Sequence, residues 1–147
     1  SWGYDGYGRV TSKTNHNGIA LFRYEYDAGG RLTNRWSVGK GNTRYAFDAV
    51  GNLTTVTYEA NTNGFGTNVL TFAYDKDARL TSMVDATGTT AYTYSNGLLD
   101  AEDGPWASDT VSYGYTYGRR QSMTVAQPVP ATWQEVYVNG SGPAISQ

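Results

Sequence analysis

One phrase recurs along this chain and restricts its fold more than any other feature. It reads YDGYGRVT at residues 4–11, YDAGGRLT at 26–33, FDAVGNLT at 47–54 and YDKDARLT at 74–81. Two shorter copies follow, YSNGLL at 94–99 and YTYGRR at 115–120, each one residue shorter before its glycine. The glycine slot falls at Gly8, Gly30, Gly51, Ala78, Gly97 and Gly118, about 21 residues apart but for one wider interval. A period of that length marks a repeat architecture, in which stacked units share an apolar surface that none can bury alone.

The chemistry of one unit specifies a hairpin. In Asp27-Ala28-Gly29-Gly30 an aspartate opens a four-residue turn and a glycine closes it. The carboxylate can fold back onto the backbone N–H two residues later. The glycine can take the left-handed conformation that ends a type I turn with a G1 bulge, a common three-residue hairpin loop. This register predicts Asp27 opposite Arg31, Tyr26 opposite Leu32 and Tyr24 opposite Asn34. Tyr26, Tyr24, Phe22, Leu32 and Trp36 should then share an apolar face, with Asp27, Glu25, Arg31, Thr33 and Arg35 on the other. The same spacing predicts Tyr4–Val10, Phe47–Leu53 and Tyr74–Leu80 on the apolar face, and Asp5–Arg9, Asp48–Asn52 and Asp75–Arg79 on the polar one.

The connections between hairpins reuse this grammar. Asn15-His16-Asn17-Gly18 and Asp85-Ala86-Thr87-Gly88 each begin with Asn or Asp and end on glycine; Gly39-Lys40-Gly41-Asn42 is a looser version. With Asp85 opposite Thr89, Ser82 would face Tyr92 and Leu80 would face Tyr94. Two connections are longer, the polar EANTNGFGTN at 59–68 and DAEDGPWASD at 100–109. The pattern fades after Arg120. The expected organisation is a repeat sheet over 1–126, then a proline-containing connector, a strand at 133–138 and a flexible tail at 140–147.

The fold class is therefore all-β, an antiparallel meander of about six β-hairpins, two strands to a repeat. A sheet of roughly a dozen strands is expected to curl. Thirteen tyrosines dominate the apolar residues, which suits strands. The formal charge of −2, with signs interspersed, lacks the basic patch of a nucleic-acid binder. No apolar run is long enough for a membrane-spanning helix. There is no cysteine, so disulfides and thiolate metal sites are excluded. The chain opens at Trp2-Gly3-Tyr4-Asp5, already inside a repeat, as a fragment of a longer chain would.

Candidate chemistry is sparse, and no catalytic, metal or cofactor site is expected. His16 is the sole histidine and sits mid-turn between asparagines, a poor place for a positioned base. Asp5, Asp27, Asp48 and Asp75 recur at one repeat position, which turn closure explains without a catalytic carboxylate pair. Asn61-Thr62-Asn63-Gly64 lacks the carboxylates and bidentate Glu of a calcium loop, and the cluster Asp100, Glu102, Asp103 lacks its alternating ligand spacing. Asn52-Leu53-Thr54 and Asn139-Gly140-Ser141 match the glycosylation sequon, the first already explained by the repeat. Trp106 lies outside the repeat register and is the candidate for stacking on a sugar.

The four close units resemble the tyrosine–aspartate (YD) repeats of the rearrangement-hotspot (Rhs) family, which includes shell proteins of bacterial toxin complexes and the animal teneurins. The resemblance covers residues 2 to about 123. It implies a strip of β-sheet spiralling into a shell around a C-terminal toxin, in a bacterial protein that is secreted or at the cell surface. Its partners would be the rest of the parent protein and its cargo, with edge strands open to self-association. Carbohydrate binding, to a cell-surface glycan, is also implied for such repeats. The family's closing segment, with its self-cleaving aspartate site, has no counterpart in these residues.

Overall fold

The computed structural model describes residues 1–60, 64, 66–126, 135–136 and 144–145. Twelve strands follow one another in a single sheet in the order of the sequence. They are β1 (Trp2–Tyr4), β2 (Val10–Thr14), β3 (Ala20–Tyr26), β4 (Leu32–Ser37), β5 (Gly41–Phe47), β6 (Leu53–Tyr58), β7 (Asn68–Tyr74), β8 (Leu80–Asp85), β9 (Gly88–Ser95), β10 (Leu98–Asp103), β11 (Val111–Thr116) and β12 (Arg119–Val125). The fold is the all-β antiparallel meander of hairpins expected from the repeat, without a helix among the described residues. Short strands β13 (Glu135–Val136) and β14 (Ala144–Ile145) pair separately. They fall within the expected terminal strand and tail, whose other residues, Trp133 among them, lie outside the described ones. The chain divides into two compact units, Ser1–Phe72 and Ala73–Gln147.

The turns form as their residues dictate. In the four close repeats the N–H of the slot residue donates to the aspartate carbonyl: Gly8 to Asp5 (3.0 Å), Gly30 to Asp27 (3.0 Å), Gly51 to Asp48 (3.2 Å) and Ala78 to Asp75 (3.0 Å). The slot residue lies at positive φ, 82° at Gly30 and 59° at Ala78. An L-residue with a Cβ is strained there by about 1–2 kcal/mol, whereas glycine is not. Ala78→Gly should therefore stabilise the chain by about 1 kcal/mol after glycine's greater unfolded-state freedom is subtracted, and so raise the urea midpoint. An unchanged or lower midpoint would refute the strain. The two shorter copies close as two-residue loops, with Asn96 and Gly97 at φ 50° and 80°, and Tyr117 and Gly118 at 51° and 75°. That is the type I′ geometry, whose twist matches the strands.

Two expected registers are corrected. Tyr26 does pair with Leu32, but the next pair is Glu25 with Asn34, then Tyr24 with Arg35. Thr33 is an extra residue, a bulge that turns the rest of β4 over. The shift recurs beside Tyr4–Val10, Phe47–Leu53, Tyr94–Leu99 and Tyr115–Arg120. Arg35 consequently joins Tyr24 on the aromatic face, and Trp36 joins Arg23 on the polar one. The second correction concerns Asp85, which pairs with Gly88 rather than Thr89 and places Ser82 opposite Ala91 rather than Tyr92. Its carboxylate accepts from the N–H (2.7 Å) and the hydroxyl (2.6 Å) of Thr87, which closes the turn one residue early.

Each unit is a single layer. Among the described residues Val56 is the one buried hydrophobic side chain, at 7% exposure. Within Ser1–Phe72 the aromatic face consists of cross-strand rows. Trp2, Lys13, Phe22, Ser37 and Gly41 form one, and Tyr24, Arg35, Thr43, Tyr58 and Asn68 the next. Tyr45, Val56 and Leu70 make a third. Most of these side chains are half-buried by their neighbours along and across the strands, the pairwise packing that stabilises a sheet face.

Candidate functional site

The repeat motif builds a clamp within and between hairpins. In the first unit Asp5 Oδ1 accepts from the N–H groups of Tyr7 (2.9 Å) and Arg9 (2.9 Å), while its Oδ2 accepts from Arg9 Nε (2.6 Å). Asp27 receives Arg31 N–H (2.9 Å) and Nε (2.7 Å). Asp75 likewise receives Arg79 N–H (3.0 Å) and Nε (2.7 Å). At Asp48 the partner is Asn52, through its N–H (2.8 Å) and Nδ2 (2.9 Å).

The arginine then reaches the following hairpin. The Arg9 guanidinium carbon lies 4.6 Å from the Tyr26 ring centroid, and Nη1 is 3.5 Å from the Asp27 carbonyl oxygen. Arg31 covers Phe47 at 4.9 Å and donates through Nη1 to the Asp48 carbonyl (3.3 Å). In the second unit Arg79 covers Tyr94 at 4.7 Å. The tyrosines reach back: Tyr26 Oη donates to the Val10 carbonyl (2.8 Å) and Tyr94 Oη to the Leu80 carbonyl (2.9 Å). Tyrosine, aspartate, arginine and the carbonyl after that arginine thus form one reciprocal lock between consecutive repeats. The final threonine has a role as well. Thr33 and Thr54, the bulge residues, donate their hydroxyls to the carbonyls of Glu25 and Ala46 (3.2 Å each).

Electrostatics follow from these bonds. The backbone N–H and then the side chain of Arg31 hold the Asp27 carboxyl below its usual pKa. The side chain of Arg79, then its N–H, does the same for Asp75, as do the Thr87 hydroxyl and N–H for Asp85. At Asp5 and Asp48 partial burial pushes upward, but the bonds from Arg9 and Asn52 prevail and the net direction is again down. A carboxyl more acidic in the folded state than in the unfolded contributes stability that is complete above the unfolded value, near 3.9 for Asp. That contribution is lost as pH falls through the folded value. Denaturation midpoints should accordingly stay level near neutrality and drop below pH ~4. Asp27→Asn should keep most of the turn, since Asn15 Oδ1 accepts from Asn17 (2.9 Å) and Ile19 (3.0 Å) in the same geometry, but should flatten the acid limb. An acid limb as steep as that of the unmodified chain would remove Asp27 from this account.

The other singled-out residues are dispersed. His16 is exposed in its turn. Glu102 accepts a hydrogen bond from Tyr113 Oη (2.6 Å), which, with burial, pushes the Tyr113 phenol up to about 12. No group of three or more His, Cys, Asp or Glu among the described residues could hold a metal ion. Asn61 and Asn63 lie outside the described residues, as does the sequon asparagine Asn139. Trp106 is 65% exposed on a braced loop. Asp109 accepts from the N–H groups of Gly104 (3.1 Å) and Trp106 (3.0 Å), and Pro105 abuts Gly88.

Sequence reasoning missed the polar face of the first unit. Asn42 Nδ2 donates to Glu59 Oε2 (2.8 Å), and Glu59 also pairs with Arg44. Asn34 donates to Asn42 Oδ1 (3.3 Å), and Arg23 lies over Trp36 at 5.1 Å. A shallow cavity of about 350 Å³ is lined by Thr33, Arg44, Tyr45, Ala46, Thr55 and Thr57. Glu59 stands in an irregular connection, so no periodicity could have marked it. The pocket brings no nucleophile and base together.

A single-layer meander of locked β-hairpins defines a repeat scaffold. Residues 4–35 match the RHS repeat family. A chain of the crystal structure of TcdB2-TccC3-Cdc42 superimposes with a TM-score of 0.74 at 14% identity, over 92% of this chain and 8% of that one. No curated protein sequence matches. Residues 4–35 thus carry an RHS repeat, and the chain shares its fold with a stretch of the matched protein, of which it spans a small part.

Proposed function

We propose that the chain is a non-catalytic wall segment of an Rhs-type shell or surface fibre, in a secreted or cell-surface bacterial protein that encloses or presents a C-terminal toxin. In this reading residues 1–126 are the repeat wall, and 127–147 are a proline-containing connector with a terminal strand and a tail. The observation that carries this reading is the reciprocal lock. Arg9 with Tyr26 and Arg79 with Tyr94 spend the most distinctive side chains of the motif on joining one hairpin to the next. Such a device extends a sheet and commits these side chains to structure. The solved chain that this one resembles in fold comes from a complex of TcdB2, TccC3 and Cdc42, which fits a wall in a much longer protein.

The exposed Trp106 on its braced loop favours a second reading, a module that binds a cell-surface glycan. Light scattering paired with a glycan array separates the two. Terminal strands β1 and β12 end the sheet order, and unpaired strand edges recruit partners. The wall reading expects self-association through edges and no saturable glycan binding. A strict monomer that binds one glycan at micromolar strength, and loses it in Trp106→Ala, would replace the wall with a lectin-like module.

A further inference from the structure

We propose that the aromatic face of Ser1–Phe72 is a docking surface for a polypeptide segment that carries a carboxylate between apolar side chains, with Arg35 as the residue that receives the carboxylate. Arg35 sits in the middle of that face, between Tyr24 and Thr43 in its row, because of the bulge at Thr33. Its Nε is buried and has no hydrogen-bond acceptor. No described carboxylate forms an ion pair with it. A buried guanidinium donor left unpaired is costly, so such a group calls for an acceptor from outside. The surroundings shape the site: Ser37, Gly41 and Thr43 are small, whereas Phe22, Tyr24, Tyr45 and Tyr58 are large. Thr43 is only 2% exposed and Ser37 8%, so large side chains close over the small ones beside Arg35.

The charge distribution selects the occupant. On the strands of this unit the aromatic face carries Lys13 and Arg35 and no carboxylate. The strand and connection carboxylates Glu25 and Glu59 lie on the opposite side, where Arg44 pairs with Glu59, and the turn carboxylates Asp5, Asp27 and Asp48 are held by Arg9, Arg31 and Asn52. The strand charges of the polar face thus include both signs, while those of the aromatic face are the two cations Lys13 and Arg35 alone. Two cations cannot track a phosphate backbone, which needs a row of them. Half-buried aromatic rings around one guanidinium instead match apolar side chains flanking a single carboxylate, and arginine is well suited to a desolvated carboxylate.

The test uses the whole chain and two capped synthetic peptides, one alternating leucine and glutamate, the other leucine and glutamine, with affinities read by calorimetry. The Leu-Glu peptide should bind about tenfold or more tightly than Leu-Gln, the effect of one charge-assisted hydrogen bond. Arg35→Met keeps the side-chain stem and should abolish that preference, whereas Arg23→Met, on the other face, should leave it intact. Circular dichroism checks that both variants fold. Equal affinities for the two peptides in the unmodified chain overturn the proposal. So does a preference that survives Arg35→Met, one that is lost equally in Arg23→Met, or tighter binding of a single-stranded thymidine oligonucleotide. The inference stands on this face alone, so its failure leaves the wall reading to its own light-scattering test.

Discussion

Tyr26→Ala should destabilise the chain by about 2–4 kcal/mol, the range for truncating a large packed side chain. The loss has three sources. The ring leaves the aromatic face, the Arg9 guanidinium loses the surface it covers, and the Val10 carbonyl loses its donor. Tyr26→Phe separates them, removing only the hydroxyl at about 0.5–1.5 kcal/mol. Phe47, which lies under Arg31 without a hydroxyl, shows that the position accepts this change. Asp27→Ala should cost distinctly less than Tyr26→Ala, because it loosens one partly exposed turn. Urea denaturation of the three variants checks the order. Equal losses for Tyr26→Ala and Asp27→Ala would mean that the turn, not the ring, holds successive repeats together.

Gly88→Ala should cost about 2–4 kcal/mol, since overpacking and an unfavourable backbone conformation each cost about 1–3 kcal/mol. Gly88 has φ 140°, and a Cβ there would meet Pro105 Cβ at 2.6 Å. Neither partner can rotate away, because one atom lies in a ring and the other is fixed to the backbone. The expanded loop that presents Trp106 rests on this contact, so the substitution should disturb the loop as well as the turn. Pro105→Gly in the same chain should recover the steric share, visible in a double-mutant cycle as coupling of about 1 kcal/mol or more. A Gly88→Ala variant as stable as its parent would show that the loop does not press on the β8–β9 turn.

The all-β meander was legible because its signals are local. Aspartate and glycine three residues apart close a turn wherever they occur, and alternating tyrosines mark a strand face within a few residues. Hence the Asp5, Asp27, Asp48 and Asp75 turns, the left-handed Ala78 and the Tyr26–Leu32 type of pairing all follow from short windows of sequence. The bulge is less accessible. Thr33 shifts the register through a hydroxyl bond to the Glu25 carbonyl on the neighbouring strand, and strict alternation placed Arg35 and Trp36 on the wrong faces. The Asp85 turn misled for a related reason: its Thr87 offered a second donor that closed the loop early.

The sequence by itself determined the repeat, the turn at each repeat and the absence of thiolate and membrane-helix chemistry. Only the tertiary structure decided what the motif's arginine and tyrosine are for. Arg9 and Tyr26 are distant in sequence, and nothing in either hairpin alone shows that one will cover the other. Their meeting depends on the hydrogen-bonded spacing of adjacent strands, which brings equivalent residues of successive repeats side by side. The same cause governs Arg35. Its position on the aromatic face, and its lack of a carboxylate there, emerge only when the bulged ladder of β3, β4 and β5 is assembled.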